Sequence, residues 1–370
     1  MDCMALVLVL ATHLKLVHVS SAGAQEQEPV LLKASMLAHG PVSPVSSASL
    51  SGHEDRIHRG IVTDRLQVLS GGRVKDRNQV LKLNEPFNFL HISKCGGASF
   101  IRMARSMLPN FYPNRTIGQE HGAFFNRKSV SEAHRLVLLR SPRSHVLSMF
   151  KMCRYSPWGI KLQKLNRSRI EKNGTGQHDF EAWLQYYLHP LGKPWLGCYE
   201  PWNYQARALT SSKRAPHNVE RDFEPSFGEA LAAYLHMDWV GLQDFYEESM
   251  CLFYGRLEQT AEVRRLLSNC GCGLDNTHPA LVHIRHYNIS FNDTNSSAVT
   301  FTPALAAAMD RITVVDKVIF SVALRGFFSE LKRLEARLGR RIMCPAALRR
   351  AETQLAYIAN VTAVYEQTVS

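Results

Sequence analysis

Ser93, Lys94, Cys95, Gly96, Gly97, Ala98 and Ser99 form the run in this chain whose residue types point most directly to chemistry. A lysine followed by two glycines, placed between a strand and a helix, makes a cradle for an anion. The first N–H groups of a helix have no partner inside the helix, and they share its positive end. Glycines let the backbone approach bound oxygens closely, and Lys94 adds a point charge. Phosphate or sulfate is the matching ligand class; an ordinary strand-to-helix turn is the competing reading. A second cation, Arg140, stands at the end of another apolar run, just ahead of Pro142. Its planar guanidinium suits a bidentate, charge-assisted pair with phosphate, although an arginine at a strand end is most often a surface residue.

The elements that position these residues follow from the apolar pattern. Phe87 to Ile92 reads as a buried strand, and Ala98 to Met107 as a helix with Phe100, Ile101, Ala104 and Leu108 on one face. His134 to Leu139 is a nearly continuous apolar run, as in a central parallel strand. Pro142 fits the first turn of the helix that follows, through Met149, Phe150 and Met152. Further on, Phe180–Leu188 predicts an aromatic helix, Asp238–Gln243 a strand, and Phe245 to about Leu267 a helix. Thr302–Arg340 reads as long helical structure that closes the domain. Lys151 to Lys172 is basic, either a solvated helix face or a contact for an acidic acceptor. The lysine precedes the glycines and no Ser or Thr follows in the magnesium position, so the first motif is not a Walker A loop.

At 370 residues, with 45% hydrophobic and 21% charged, the chain suits one large domain plus an N-terminal extension. Met4–Ala11 is a short apolar run with small residues at Ala22 and Ala24 behind it. Residues 1–24 therefore read as a signal peptide, with a short membrane anchor as the alternative. Residues 25–80 are rich in Ser, Pro, Gly and His and read as a stem or linker. The folded domain is expected over 81–342, and 343–370 as a C-terminal helical extension. Asn-x-Ser/Thr sequons at Asn114, Asn166, Asn173, Asn288, Asn292, Asn295 and Asn360 fit a secretory-pathway protein. Seven cysteines remain beyond the signal, so at least one is unpaired, and Cys95 is the candidate. Cys270 and Cys272 suggest disulfides to separate partners rather than a metal site, since no second close pair accompanies them.

The loop resembles the 5′-phosphosulfate loop of Golgi carbohydrate sulfotransferases, in motif style closest to the heparan sulfate and galactose O-sulfotransferases. Lys94, Gly96, Gly97 and Ser99 match; Ser93 stands where the family has Pro, and Cys95 where it has Thr. Arg140 and Ser148 fall on that family's 3′-phosphate motif, with Ser141 in place of Asp and the second arginine displaced to Arg143. His121 matches a histidine that acts there as catalytic base, and a neutral imidazole is suited to accept a hydroxyl proton. Glu120 competes, because some sulfotransferases use a glutamate. Trp202–Leu209 is similar to a family helix that would make Asn203, Gln205 and Arg207 pocket residues, and Gln243 and Asp244 lie near its usual acidic position.

The resemblance implies an α/β, P-loop-like sulfotransferase fold, a mainly parallel central sheet with helices on both faces. It further implies an enzyme moving a sulfuryl group from 3′-phosphoadenosine 5′-phosphosulfate to a hydroxyl of a glycan or other carbohydrate, in the Golgi lumen or secreted. Lys94, Cys95, Gly96, Gly97, Ala98, Ser99, Arg140 and Ser148 would hold the donor. His121 and Lys94 would do the chemistry, and Glu120, Asn203 and Arg207 would meet the acceptor. No metal and no nucleic acid is expected. The net charge of +12 suits an anionic donor and an acidic acceptor. A family member that binds nucleotide or glycan without turnover is the alternative, and a P-loop kinase is disfavoured by the lysine position.

Overall fold

Apolar runs with no room for a polar face make the sheet: β1 (Phe87–Leu90) and β4 (Trp239–Leu242) are buried at every position. In the computed structural model, residues 79–108, 111–113, 133–163, 176–188, 198–210, 226–272 and 302–369 are described. β1 leads through α1 (Gly97–Met107) to β2 (Phe111–Pro113). β3 (His134–Leu139) leads into α2 (Pro142–Tyr155) and α3 (Pro157–Gln163). Then come α4 (Gly176–Leu188), α5 (Tyr204–Thr210) and α6 (Phe227–Leu235) before β4. After β4 the chain is helical: α7 (Tyr246–Arg256), α8 (Ala261–Ser268), α9 (Pro303–Ile312), α10 (Val314–Leu338) and α11 (Pro345–Val369). The result is α/β, a small parallel sheet with helices around it.

The strand order is β2-β1-β3-β4, every pair parallel. β1 crosses over to β2 on one side, while β3 continues to β4 on the other. The carboxyl ends of β1 and β3 are therefore a topological switch point, where open parallel sheets leave a crevice for ligands. The central packing is aromatic: Phe89, Phe100, Trp239 and Phe253 lie with ring centroids 4.5–5.3 Å apart.

One helical expectation is corrected. The segment Phe245 to Leu267 is two helices, because Leu257 is extended and pairs with Leu81 in a parallel bridge. Leu81 N–H donates to Arg256 C=O at 2.8 Å, and Glu258 N–H donates to Leu81 C=O at 3.0 Å. Thr260 then restarts the helix by accepting from Val263 N–H. The stretch 302–340 is helical as expected, in two helices that meet at Thr313. There the Asn203 Oδ1 accepts from Val315 N–H (2.9 Å) and Asp316 N–H (3.4 Å) and so starts α10 from outside. The buried face of α1 also differs, running through Phe100, Met103 and Ala104, with Ile101 only half-buried.

Disulfides Cys153–Cys198, Cys251–Cys270 and Cys272–Cys344 leave Cys95 as the cysteine outside any bridge among the described residues. Cys270 and Cys272 do take separate partners. Such bridges persist in an oxidising secretory compartment. No helix among the described residues is long and apolar enough to cross a membrane.

Candidate anion-binding site

At the end of β1 the backbone turns sharply, with Lys94 (φ 65°) and Gly96 (φ 83°) both left-handed around Cys95. Such turns aim successive N–H groups toward one spot. Gly96 caps α1 with its carbonyl, accepting from Ser99 N–H (3.1 Å) and Phe100 N–H (3.3 Å). The N–H groups of Gly97 and Ala98, the first in the helix, have no acceptor within it. Gly97 leaves room for a neighbour: a Cβ there would lie 2.2 Å from Cδ2 of His91, whose ring would have to shift. Lys94 is half-buried, Ser99 buried and Ala98 exposed.

The second loop meets the first through Arg140. Its Nη1 donates to the Lys94 carbonyl at 2.9 Å, tying the end of β3 to the lysine turn. Burial pushes its pKa down, opposed by the charge of Asp244. Its Nε is buried with no hydrogen-bond partner among the described residues, a donor fit for an anion. Gln205, on α5, clamps this junction. Its Oε1 accepts from Arg140 N–H (2.9 Å) and from the Cys95 thiol (3.7 Å), and its Nε2 donates to Arg140 C=O (2.8 Å). Asp244 holds the start of α2, accepting from Ser141 N–H and Ser141 Oγ, both at 2.7 Å.

Under the lysine turn lies His145, from the first turn of α2. Its Nε2 donates to the Ser93 carbonyl at 2.7 Å, and its ring stands edge-on to Tyr204, whose hydroxyl donates to Ser93 Oγ at 3.4 Å. Burial, with Arg140 and Lys94 nearby, lowers its pKa to about 3, so the imidazole is neutral. Ser93 is thus a buried hydrogen-bonding residue.

Lys94, Cys95, Gly96, Gly97, Ala98, Ser99 and Arg140 are gathered at the switch point. Ser148 stands in the second turn of α2, half-buried. Asn203 and Arg207 are buried and engaged elsewhere: Asn203 caps α10, and Arg207 donates to Glu200 C=O at 2.5 Å with Glu200 Oε2 3.6 Å away. Arg143 forms a bidentate pair with Asp310 at 2.9 and 2.6 Å, under the ring of Tyr357 from α11. His121 and Glu120 lie outside the described residues. Nothing in the spacing singles out His145, while Gln205, expected as a pocket residue, joins the two loops.

The donor set fits a dianionic ligand. It offers a lysine, an arginine with a spare buried Nε, and two first-turn N–H groups with no acceptor inside their helix, while the nearby Asp244 is committed to Ser141. Among the described residues no group of His, Cys, Asp or Glu is placed to hold a metal. No protein-family model and no curated protein matches the chain.

Proposed function

We propose that the protein transfers a sulfuryl group from 3′-phosphoadenosine 5′-phosphosulfate to a hydroxyl of a glycan or other carbohydrate. One observation carries the reading: two strand-to-helix loops meet at the switch point of β1 and β3, each bringing a helix start and one cation, Lys94 or Arg140. The resemblance of both loops to the sulfotransferase motifs supports the same assignment.

In this reading the turn from Lys94 to Ser99 holds the 5′-phosphosulfate end, and Arg140 with Ser148 holds the 3′-phosphate. The bound donor supplies an electrophilic sulfur with a phosphate leaving group, and the chemistry needs no metal. The protein contributes position and charge. Lys94 stabilises negative charge as the bond to the leaving oxygen breaks, and His121 takes the proton of the attacking hydroxyl. The disulfides and sequons suit a lumenal site of action in the Golgi.

A binder without turnover is the second reading, favoured by the Cys95 thiol and the Ser141 hydroxyl both being turned to internal partners. Transfer of radiolabelled sulfate over a panel of glycans and small hydroxyl compounds separates the two. An active enzyme loses about 10²–10⁴-fold in turnover on His121→Ala, the range for a general base. Glu120→Gln retains activity; if it abolishes transfer and His121→Ala does not, the base is Glu120. Nucleotide binding with no transfer to any acceptor selects the binder.

A further inference from the structure

Trp158 is the most exposed aromatic side chain in the described core region, 41% accessible at the start of α3. Its surroundings are rigid. The ring leans on buried Tyr199 at a centroid distance of 5.3 Å, and Tyr199 N–H donates to Cys153 Sγ at 3.3 Å. Cys153 and Cys198 are bridged, so a disulfide staples the floor on which the indole rests. The elbow beneath it is equally tight. Ser156 Oγ donates to Met152 C=O at 2.6 Å and accepts from Gly159 N–H at 2.9 Å, and a Cβ on Gly159 would lie 2.4 Å from Cys153 O. An indole held on one face and open on the other is a preorganised stacking platform.

Its charge surroundings are one-signed in sequence. From Ala133 to Ile170 there is no Asp or Glu, while Arg135, Arg140, Arg143, Lys151, Arg154, Lys161, Lys164, Arg167 and Arg169 are cationic. Among the described ones Lys161 is exposed, Lys151 half-buried, and Arg154 lies over the Tyr155 ring at 5.8 Å. Ser148, Lys151 and Tyr155 form a partly accessible stripe along α2, which ends at the extended Ser156, and on α3 the exposed Trp158 and Lys161 are one turn apart. From its 14 residues α2 is about 21 Å long, and it begins at the Arg140 loop.

We propose that Trp158, with Lys151 and Lys161, is a docking platform for an anionic polysaccharide. The apolar face of a sugar ring stacks on the indole, and its carboxylates or sulfates meet the lysines. The inference rests on the sulfotransferase reading for its purpose, yet binding to the platform requires no nucleotide. It names the acceptor class as an acidic polymer gripped away from the point of transfer.

The test is binding of the full-length protein to immobilised polygalacturonate, with dextran as the neutral polymer, in low and high salt. Wild type is expected to bind polygalacturonate and not dextran, with affinity falling as salt rises. Trp158→Ala is expected to weaken binding at least about ten-fold, as loss of a stacked anchor does, while Trp158→Phe keeps most of it. The double variant Lys151→Ala, Lys161→Ala is expected to flatten the salt dependence. Unchanged melting of each variant, and unchanged binding of 3′-phosphoadenosine 5′-phosphate, shows that the loss is local. Wild-type affinity in Trp158→Ala overturns the proposal, as does equal binding to dextran. If polygalacturonate binds through Trp158 and the nucleotide does not bind wild type, the platform stands and the sulfotransferase reading falls.

Discussion

Lys94 adopts a left-handed backbone that costs a residue with a Cβ roughly 1–2 kcal/mol relative to glycine. Lys94→Gly should therefore unfold at higher denaturant than Lys94→Ala, by about 1 kcal/mol less a few tenths for glycine entropy. Both should lose turnover alike, since both lack the ammonium. Equal stability of the two would mean that the turn relaxes without cost. His145 carries a pH signature. Its folded pKa of about 3 lies below the unfolded 6.5, because burial beside Arg140 and Lys94 excludes a second positive proton. The unfolded chain thus binds one more proton between those values. Stability from this group is fully present above 6.5 and is lost as pH falls toward 3. Asp316 runs the other way. Burial pushes its carboxyl up to about 7 against the N–H groups of Ala206 and Gln205, so its contribution is largest in acid and is lost as pH rises through 7. His145→Gln should flatten the acid limb of stability by up to about 1.4 kcal/mol per pH unit, measured by urea unfolding over a pH series. An unchanged limb would assign acid sensitivity to other groups.

Among the elements, α5 does more than its seven residues suggest. Asp316 accepts from Gln205 N–H (3.2 Å) and Ala206 N–H (2.8 Å) at its start, while Asn203, just ahead of it, caps α10 in return. Gln205 in turn clamps Arg140. Gln205→Leu should cost about 1–3 kcal/mol, the penalty of leaving the Arg140 backbone groups unsatisfied in the interior. It should also weaken nucleotide binding with the cationic side chains intact; loss of stability with unchanged affinity would make the clamp purely architectural. This network explains what the sequence could and could not show. The loop at Lys94, the run His134–Leu139 and the proline-led start of α2 are local signals of apolar periodicity and turn chemistry, and they were legible. The breaks at Leu257 and Thr313 were not, because each depends on a distant partner, Leu81 in one case and Asn203 in the other. Arg143 illustrates the same limit: it read as the motif's second arginine, displaced, and Asp310 and Tyr357, far along the chain, take its guanidinium. His145 was silent because a buried, neutral histidine differs from a surface one only in what surrounds it.

At the scale of the molecule, all described residues belong to one compact unit, Leu50–Ser370, stapled by three disulfides. The bridge Cys272–Cys344 spans 72 residues and anchors the start of α11, whose Tyr357 donates to Asp310 Oδ1 at 3.0 Å. Removing it as Cys272→Ala, Cys344→Ala should cost about 2–5 kcal/mol, checked by denaturant unfolding. In the proposed function the switch point between β1 and β3 holds a nucleotide by its 3′-phosphate as well as its 5′-phosphate end. The most direct measurement is the melting temperature with 3′-phosphoadenosine 5′-phosphate against AMP, in wild type and Arg140→Ala. A ligand that binds only the folded state raises the midpoint in step with its affinity. A clear rise is expected with the 3′-phosphorylated nucleotide, a much smaller one with AMP, and convergence of the two in Arg140→Ala as about 2–3 kcal/mol of binding is lost. Equal shifts from both nucleotides in wild type, or a selective shift that survives Arg140→Ala, would contradict it.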